Sequence, residues 1–244
     1  MRAGIMQPYF FPYLGYFALI DRCDTWVVFD VTQYTPKTWM NRNRVLHPAE
    51  SWNWITVPLA NSSNSIRIHE AQVLDIQKAH TSALGKLSHY RNRAPHWRTV
   101  NELLDAAFDG AGDASLVALN VSAMRVVCSY LGIAFEPIIC SGMELDLSGV
   151  DHAGGWAPAI SAALGADEYL NPVGGHELFS QLEFDSRGIA LEFLDFPTFE
   201  YETSPYSFEP NLSVLDVLMW NEVVTIRSAL AAATIKPASE LLPS

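Results

Sequence analysis

Few folds accommodate the first thirty residues of this chain. Ala3 to Gln7 is a short apolar run suited to a buried strand. Pro8 to Pro12 cannot continue it, because Pro8 has no backbone N–H and each proline pushes its predecessor out of helical geometry. Leu14, Phe17, Ala18 and Ile20 then fall on one face of a short helix. Thr25 to Phe29 is a second β-rich run, ending at Asp30. Strand, tight loop, helix and strand make a βαβ unit, whose crossover is nearly always right-handed. Ligands of open α/β sheets bind outside the carboxyl ends of the strands, so Gln7, the Pro-Tyr-Phe-Phe-Pro loop and Asp30 are expected at the mouth of a site.

The rest of the chain repeats the alternation. Thr32–Trp39 reads as a loop and Trp52–Leu59 as a strand closed by Pro58. Helical spacing covers Glu70 to about Tyr90, Trp97–Phe108, and Ser115–Leu131, the last ended by Gly132 as a left-handed cap. Phe135–Cys140 is an expected strand, Trp156–Leu164 a helix ended by Gly165, Glu168–Asn171 a strand, His176–Phe184 a helix and Ile189–Phe196 a strand. A final helix follows Ser213. The pattern predicts an α/β fold: a mostly parallel sheet with helices on both faces. Residues 70–131 hold too many helices for one crossover and read as a helical insertion. With no linker in view, residues 1–244 are expected to form a single domain.

Charge is unevenly placed. The net charge is −12, yet residues 31–100 carry nine basic side chains against three acids, and residues 76–101 carry no acid at all. Such asymmetry predicts a positive surface for an anion. Three widely spaced cysteines, Cys23, Cys128 and Cys140, suit buried thiols in a reducing compartment better than a disulfide frame. No apolar stretch is long enough to span a bilayer. The N-terminal run is broken at Gln7 and Pro8, unlike a signal peptide. The expectation is a soluble, cytoplasmic protein.

Three stretches could carry chemistry. Asn41-Arg-Asn-Arg44 offers many donors and no competing acid, which suits phosphate or carboxylate, and Lys37 could join it. Asn171-Pro-Val-Gly-Gly-His-Glu177 follows a strand and precedes a helix. Gly174 and Gly175 could wrap a ligand there, and His176 could act as base or acid near neutral pH. Tyr13-Leu-Gly-Tyr16 opens the first helix, where Gly15 would let phosphate approach the backbone. Ser213-Val-Leu-Asp216 reads as a capping box, with Ser213 the N-cap and Asp216 at its third position. Glu144, Asp146, Asp151 and His152 are metal-capable, but their spacing matches no ligand pattern, so no metal site is assigned. His80, His89 and His96 lie in the basic region. There is no P-loop, no GxGxxG and no Ser–His–Asp motif.

The run from Met6 to Phe17 (Met-Gln-Pro-Tyr-Phe-Phe-Pro-Tyr-Leu-Gly-Tyr-Phe) resembles the opening of the WbqC-like family of bacterial proteins. The same resemblance extends through Trp39–Arg44, the Pro58 end of the Trp-rich strand, His80, Tyr90–Pro95 and Phe208–Asp216. It departs at Glu222, where the family pattern tends to a small residue nearby. The likeness implies a role in O-antigen and related polysaccharide synthesis. The layout is also similar to the nucleotidyltransferase (HUP) superfamily. Tyr13-Leu-Gly-Tyr16 stands where that superfamily has His-x-Gly-His, which removes two cations and argues against ordinary adenylylation. Together these imply a transferase acting on a nucleotide-activated or phosphorylated anionic small molecule. The alternatives are an aminoacyl transferase, with glycine as donor and tRNA as a less favoured partner, and a non-catalytic binding protein of the same pathway. The candidate cofactor is a nucleotide or nucleotide-sugar, with a divalent metal left open, and no DNA partner is expected. The catalytic candidates are His176, Asp30 and His80. The binding candidates are Gln7, Tyr13, Gly15, Tyr16, Asn41, Arg42, Asn43, Arg44, Gly174 and Gly175.

Overall fold

In the structure, a computed structural model describing residues 1–242, strand β1 (Arg2–Met6) forms the centre of a six-stranded sheet. It runs parallel to β2 (Thr25–Val28) on one side and to β6 (Glu168–Pro172) on the other. Beyond β2 lies the two-residue edge strand β5 (Ile138–Ile139). Beyond β6 lie β7 (Ala190–Asp195) and then β8 (Thr234–Pro237), the last antiparallel. The order β5-β2-β1-β6-β7-β8 turns back at β1, so the chain proceeds outward to one edge and then outward to the other. That reversal opens a crevice at the carboxyl ends of β1 and β6.

Side chains alternate across the sheet, as pleating requires. Trp26, Val28, Leu170 and Leu194 face one core, shared with α1 (Leu14–Ile20), α4 (Leu116–Leu131), α7 (Val214–Trp220) and α8 (Val223–Ala231). Ile5, Val27, Tyr169, Leu191 and Phe193 face the other, under α5 (Trp156–Ala163) and α6 (Gln181–Asp185). All seven residues of α1 are buried, which explains why its sequence is apolar on every side. Gly4 has a packing reason: a Cβ there would lie 2.7 Å from the Trp26 ring on the neighbouring strand.

Between β2 and β5 the chain leaves the sheet. It forms an antiparallel hairpin, β3 (Arg42–Leu46) with β4 (Trp52–Thr56), and then α2 (Ile76–Leu87), α3 (Trp97–Asp109) and α4. Ser115 caps α4 through Ala118 N–H, and Gly132 closes it at φ 69°. Several boundaries differ from the sequence reading. Glu70 belongs to a 3-10 turn (Ile68–Glu70), and α2 begins only after Asp75, whose carboxylate accepts from Lys78 N–H. The expected helix over His176–Phe184 is a 3-10 turn (Val173–Leu178) followed by α6, and the final helix is split at Asn221 into α7 and α8. Residues Phe135–Glu136 do not pair, so β5 is shorter than expected. Burial pushes the Cys23 and Cys128 thiols up to about 12 and Cys140 up to about 11, and all three are free. No helix among the described residues is long and apolar enough to cross a membrane.

Asp216 corrects the capping-box reading. Ser213 is the N-cap, accepting from Leu215 N–H at 3.3 Å, but its own N–H goes to Arg44 O, and the Asp216 carboxylate turns into the core. There, fully buried, it accepts from the hydroxyls of Tyr90 and Tyr201 (2.7 Å for the latter) and from Leu46 N–H at 3.2 Å. Burial raises its pKa, against the pull of the three donors. The carboxylate thereby ties α7 to the hairpin, to the turn after α2 and to the loop before α7. Replacing Asp216 by Asn removes one acceptor from a buried network and turns an NH2 group toward a donor. Asp216→Asn is expected to lower stability by about 1–3 kcal/mol, and Tyr201→Phe by about 1–2 kcal/mol, in urea unfolding. Unchanged midpoints in both variants would contradict this account.

Candidate functional site

The loop from Gln7 to Tyr13 carries the site, and donors distant in sequence set its shape. Tyr16 OH donates to Gln7 O at 2.6 Å, and Asn120 Nδ2 donates to Pro8 O at 2.9 Å and Met40 O at 2.8 Å. Asn43 Nδ2 donates to Phe10 O (3.1 Å) and Phe11 O (2.8 Å), and Ser213 Oγ donates to Phe11 O at 2.8 Å. Phe11 is buried at φ 40°, an uncommon conformation for a bulky residue.

Beneath this loop, at the carboxyl ends of β1 and β6, lies a cavity of about 580 Å³. Its walls include five aromatic rings, Tyr9, Phe29, Trp156, Tyr169 and Phe179, with Phe29 and Trp156 in contact at 5.5 Å between centroids. Its polar groups, Gln7, Thr32, Gln33, Thr35 and Asn171, are all uncharged. Gln7 Nε2 reaches Thr32 Oγ1 at 3.3 Å. Asn171 accepts from Tyr169 OH and tucks under Gly175, where a Cβ would lie 2.4 Å from its Nδ2. Gly154 lets the Leu178 carbonyl close the opposite wall, since a Cβ there would stand 2.2 Å from it. A second, polar cavity of about 650 Å³ shares Thr32, Gln33, Ala153 and Trp156 with the first and adds Asn64, Ser65, Arg67, Asp151 and His152.

The sequence candidates divide among several places. Gln7 and Gly175 line the first of these two large cavities, the aromatic-walled one at the sheet crevice. Tyr13, Gly15 and Gly174 line a smaller cleft of about 170 Å³ beside it, with Asp195 and Phe196. Gly15 has the Tyr13 ring packed against it, 2.4 Å from where a Cβ would stand, which is a packing reason for glycine at this position. Tyr16 is buried below the loop, and burial raises its pKa well above the usual value, so it acts as a fixed donor to Gln7 O. Asp30 does not share the large cavity. It lies in another, of about 370 Å³, with His69, Arg125 and Ser141, and its carboxylate accepts from Ser141 N (2.8 Å) and Ser141 Oγ (2.6 Å).

Asn41 and Asn43 are buried and their amides serve the fold, Asn41 Nδ2 bonding Val57 O at 3.0 Å. Arg42 and Arg44 alternate with them on β3 and face the other way. Arg42 stacks 3.9 Å from the Trp54 centroid, and Arg44 sits 5.4 Å from Trp39 and 5.3 Å from Trp52. Among the described residues Arg42, Arg44, Lys86, Arg91, Arg93 and Arg98 make no ion pair. His80 joins α2 to α3, bonding Asp105 at 2.7 Å and stacking on Phe108, and it lines none of the cavities above. His176 holds Val173 O through Nδ1 at 2.9 Å. A carbonyl only accepts, so the proton of the neutral ring is on Nδ1 and the Nε2 lone pair is left over. His152 bonds Glu183 at 2.7 Å and Asp146 bonds Ser148; no group of three or more His, Cys, Asp or Glu among the described residues is arranged around a metal position. Phe29, Trp156 and Phe179, principal walls of the large cavity, were not singled out from sequence, because apolar residues at element ends read as core.

The model of the WbqC-like protein family matches residues 7–228. A curated relative, the "Uncharacterized protein Rv1507c" of Mycobacterium tuberculosis (strain ATCC 25618 / H37Rv), is 27% identical over 221 residues, covering 89% of this chain and 92% of that protein. No solved structure matches. With nearly the whole chain inside the family match, from the proline loop to α8, the protein belongs to the WbqC-like family.

Proposed function

We propose that this protein is a transferase of bacterial polysaccharide (O-antigen) precursor synthesis that binds a nucleotide-activated, anionic substrate in the crevice between β1 and β6. One observation carries the reading: the cavity at that crevice combines five aromatic walls with the amides of Gln7, Gln33 and Asn171. Aromatic planes accept a flat ring by stacking. Asn171 is engaged at both ends, by Tyr169 OH and Pro172 O, and the glutamines donate to Thr32 and Asn64 through Nε2. The edge of a nucleobase is therefore assigned to the amide oxygens and second N–H groups of Gln7 and Gln33. The adjoining cavity carries Arg67 beside Asp151 and His152, and the phosphates of the same ligand are assigned to Arg67. The strand order supports a nucleotidyltransferase (HUP)-like fold, whose nucleotide sites lie at this kind of reversal. His176 follows Gly175 of the cavity wall in sequence, its own ring lies outside the lining, and with Nε2 left over it is the proposed acid–base residue.

A second reading is aminoacyl transfer from a large anion such as tRNA. What favours it is the group of unpaired basic side chains on β3 and around α2 and α3. A steep fall of RNA affinity with salt would support it, because each released counterion adds to the slope.

Calorimetry with UDP-glucose, GDP-mannose, AMP and glucose tests the first reading. At least one nucleotide ligand is expected to bind and free glucose is not. Trp156→Ala is expected to weaken that binding about tenfold to a hundredfold, the value of one base stacked on an aromatic ring. Absence of nucleotide binding, or binding indifferent to Trp156→Ala, would overturn it.

A further inference from the structure

A further cavity, of about 360 Å³, shares Tyr9 with the large one at the sheet crevice. It is bounded by Tyr9, Tyr13, Trp39, Arg44, Phe196 and Asn211, so the proline loop forms one side and the β3 hairpin the other. At the small end of the ligand-site range, about 300–1,000 Å³, it suits a single sugar ring better than a whole nucleotide-sugar.

The polar groups there are arranged for an anion. Arg44 is the one charged side chain in the lining, and no acid accompanies it. Its Nη2 donates to Asn211 O at a long 3.3 Å, its Nε is buried without a partner, and it joins no ion pair among the described residues. A guanidinium carries five N–H donors in a fork that matches carboxylate or phosphate. The rings of Trp39 and Trp52 lie beside it, at 5.4 and 5.3 Å to their centroids. Burial raises the pKa of both Tyr9 and Tyr13, so their hydroxyls stay protonated and available to donate. Tyr9, Tyr13, Trp39 and Phe196 give flat apolar surface of the kind that packs on the C–H face of a pyranose.

We propose that this cavity holds the second substrate, an anionic sugar: a pyranose bearing a carboxylate or a phosphate, its anion on Arg44 and its ring against Trp39. Tyr9, which lines both cavities, then stands between the two ligands. The inference rests on the nucleotide reading only for what occupies the large cavity.

Ligand-detected saturation-transfer NMR on the full chain tests it, with D-glucuronate, D-glucose 6-phosphate and D-glucose as separate probes and inorganic phosphate, which has no carbon-bound proton to observe, as a competitor against each. Glucuronate or glucose 6-phosphate is expected to bind about tenfold more tightly than glucose and than phosphate alone, and the better of the two identifies the anion. Arg44→Gln is expected to bring the charged sugar down to the affinity of glucose. If that variant does not fold, Trp39→Ala, at a ring 39% exposed, is expected to weaken both sugars about tenfold. The inference is overturned if neither charged sugar outbinds glucose. It is also overturned if the preference survives Arg44→Gln, or if both sugars bind undiminished to Trp39→Ala. It is likewise overturned if charged-sugar binding depends on Trp156 and not on Arg44, which would put the sugar in the large cavity. Failure of UDP-glucose and the other nucleotides to bind while glucuronate binds through Arg44 would remove the nucleotide reading alone.

Discussion

The structure depends on satisfying the backbone of a loop that has no regular partner. Two prolines keep Gln7–Tyr13 out of helix and sheet, and Phe11 is held at positive φ in the core. A buried carbonyl without a donor costs about 1–3 kcal/mol. Here the carbonyls of Gln7, Pro8, Phe10, Phe11 and Pro12 all find donors: Tyr16, Asn120, Asn43, Ser213 and the Val214 amide. The Phe10 amide in turn donates to Trp39 O at 2.8 Å. Four segments, three of them distant in sequence, therefore meet on seven residues. The arrangement fixes Tyr9 and Tyr13, whose rings divide the cavities.

This constraint reassigns several polar residues. Asn41 and Asn43 look in sequence like free donors beside two arginines, yet their amides hold the Val57 carbonyl and the loop. What remains for a ligand is the opposite face of β3, where Arg42 and Arg44 lie against tryptophans. Asp216 works one layer further back. Its bond to Leu46 N–H fixes the end of β3, and Ser213, three residues earlier, bonds the loop and Arg44 O. The hairpin, the proline loop and α7 are thus positioned together, and the cavity between loop and hairpin inherits their rigidity.

The legible parts of this fold were those written in local pattern. The βαβ opening and the limits of α4 could be read because apolar spacing, Ser115 and Gly132 act within a few residues. The β3 strand could not: Arg-Asn-Arg alternates one buried amide between two half-exposed cations, and a buried Asn is recognisable only once its partner 33 residues away is known. Gly15 shows the same limit, since permissive backbone and space taken by a neighbouring ring look alike in sequence. β8 pairs antiparallel at the sheet edge with no apolar run to announce it. Of the large cavity, Gln7 and Gly175 were anticipated from strand ends. Phe29, Trp156 and Phe179 were not, because composition does not distinguish an aromatic residue lining a cavity from one filling a core.

Native-state hydrogen exchange at the Phe10 amide tests the central claim most directly. A loop pinned by donors from four segments opens only when those segments separate. Its exchange should therefore report an opening free energy close to that of global unfolding, measured by urea on the same sample. Exchange through a local opening costing about half of that or less would contradict the account, showing that the loop moves independently of the fold and cannot set the shape of the cavities beside it.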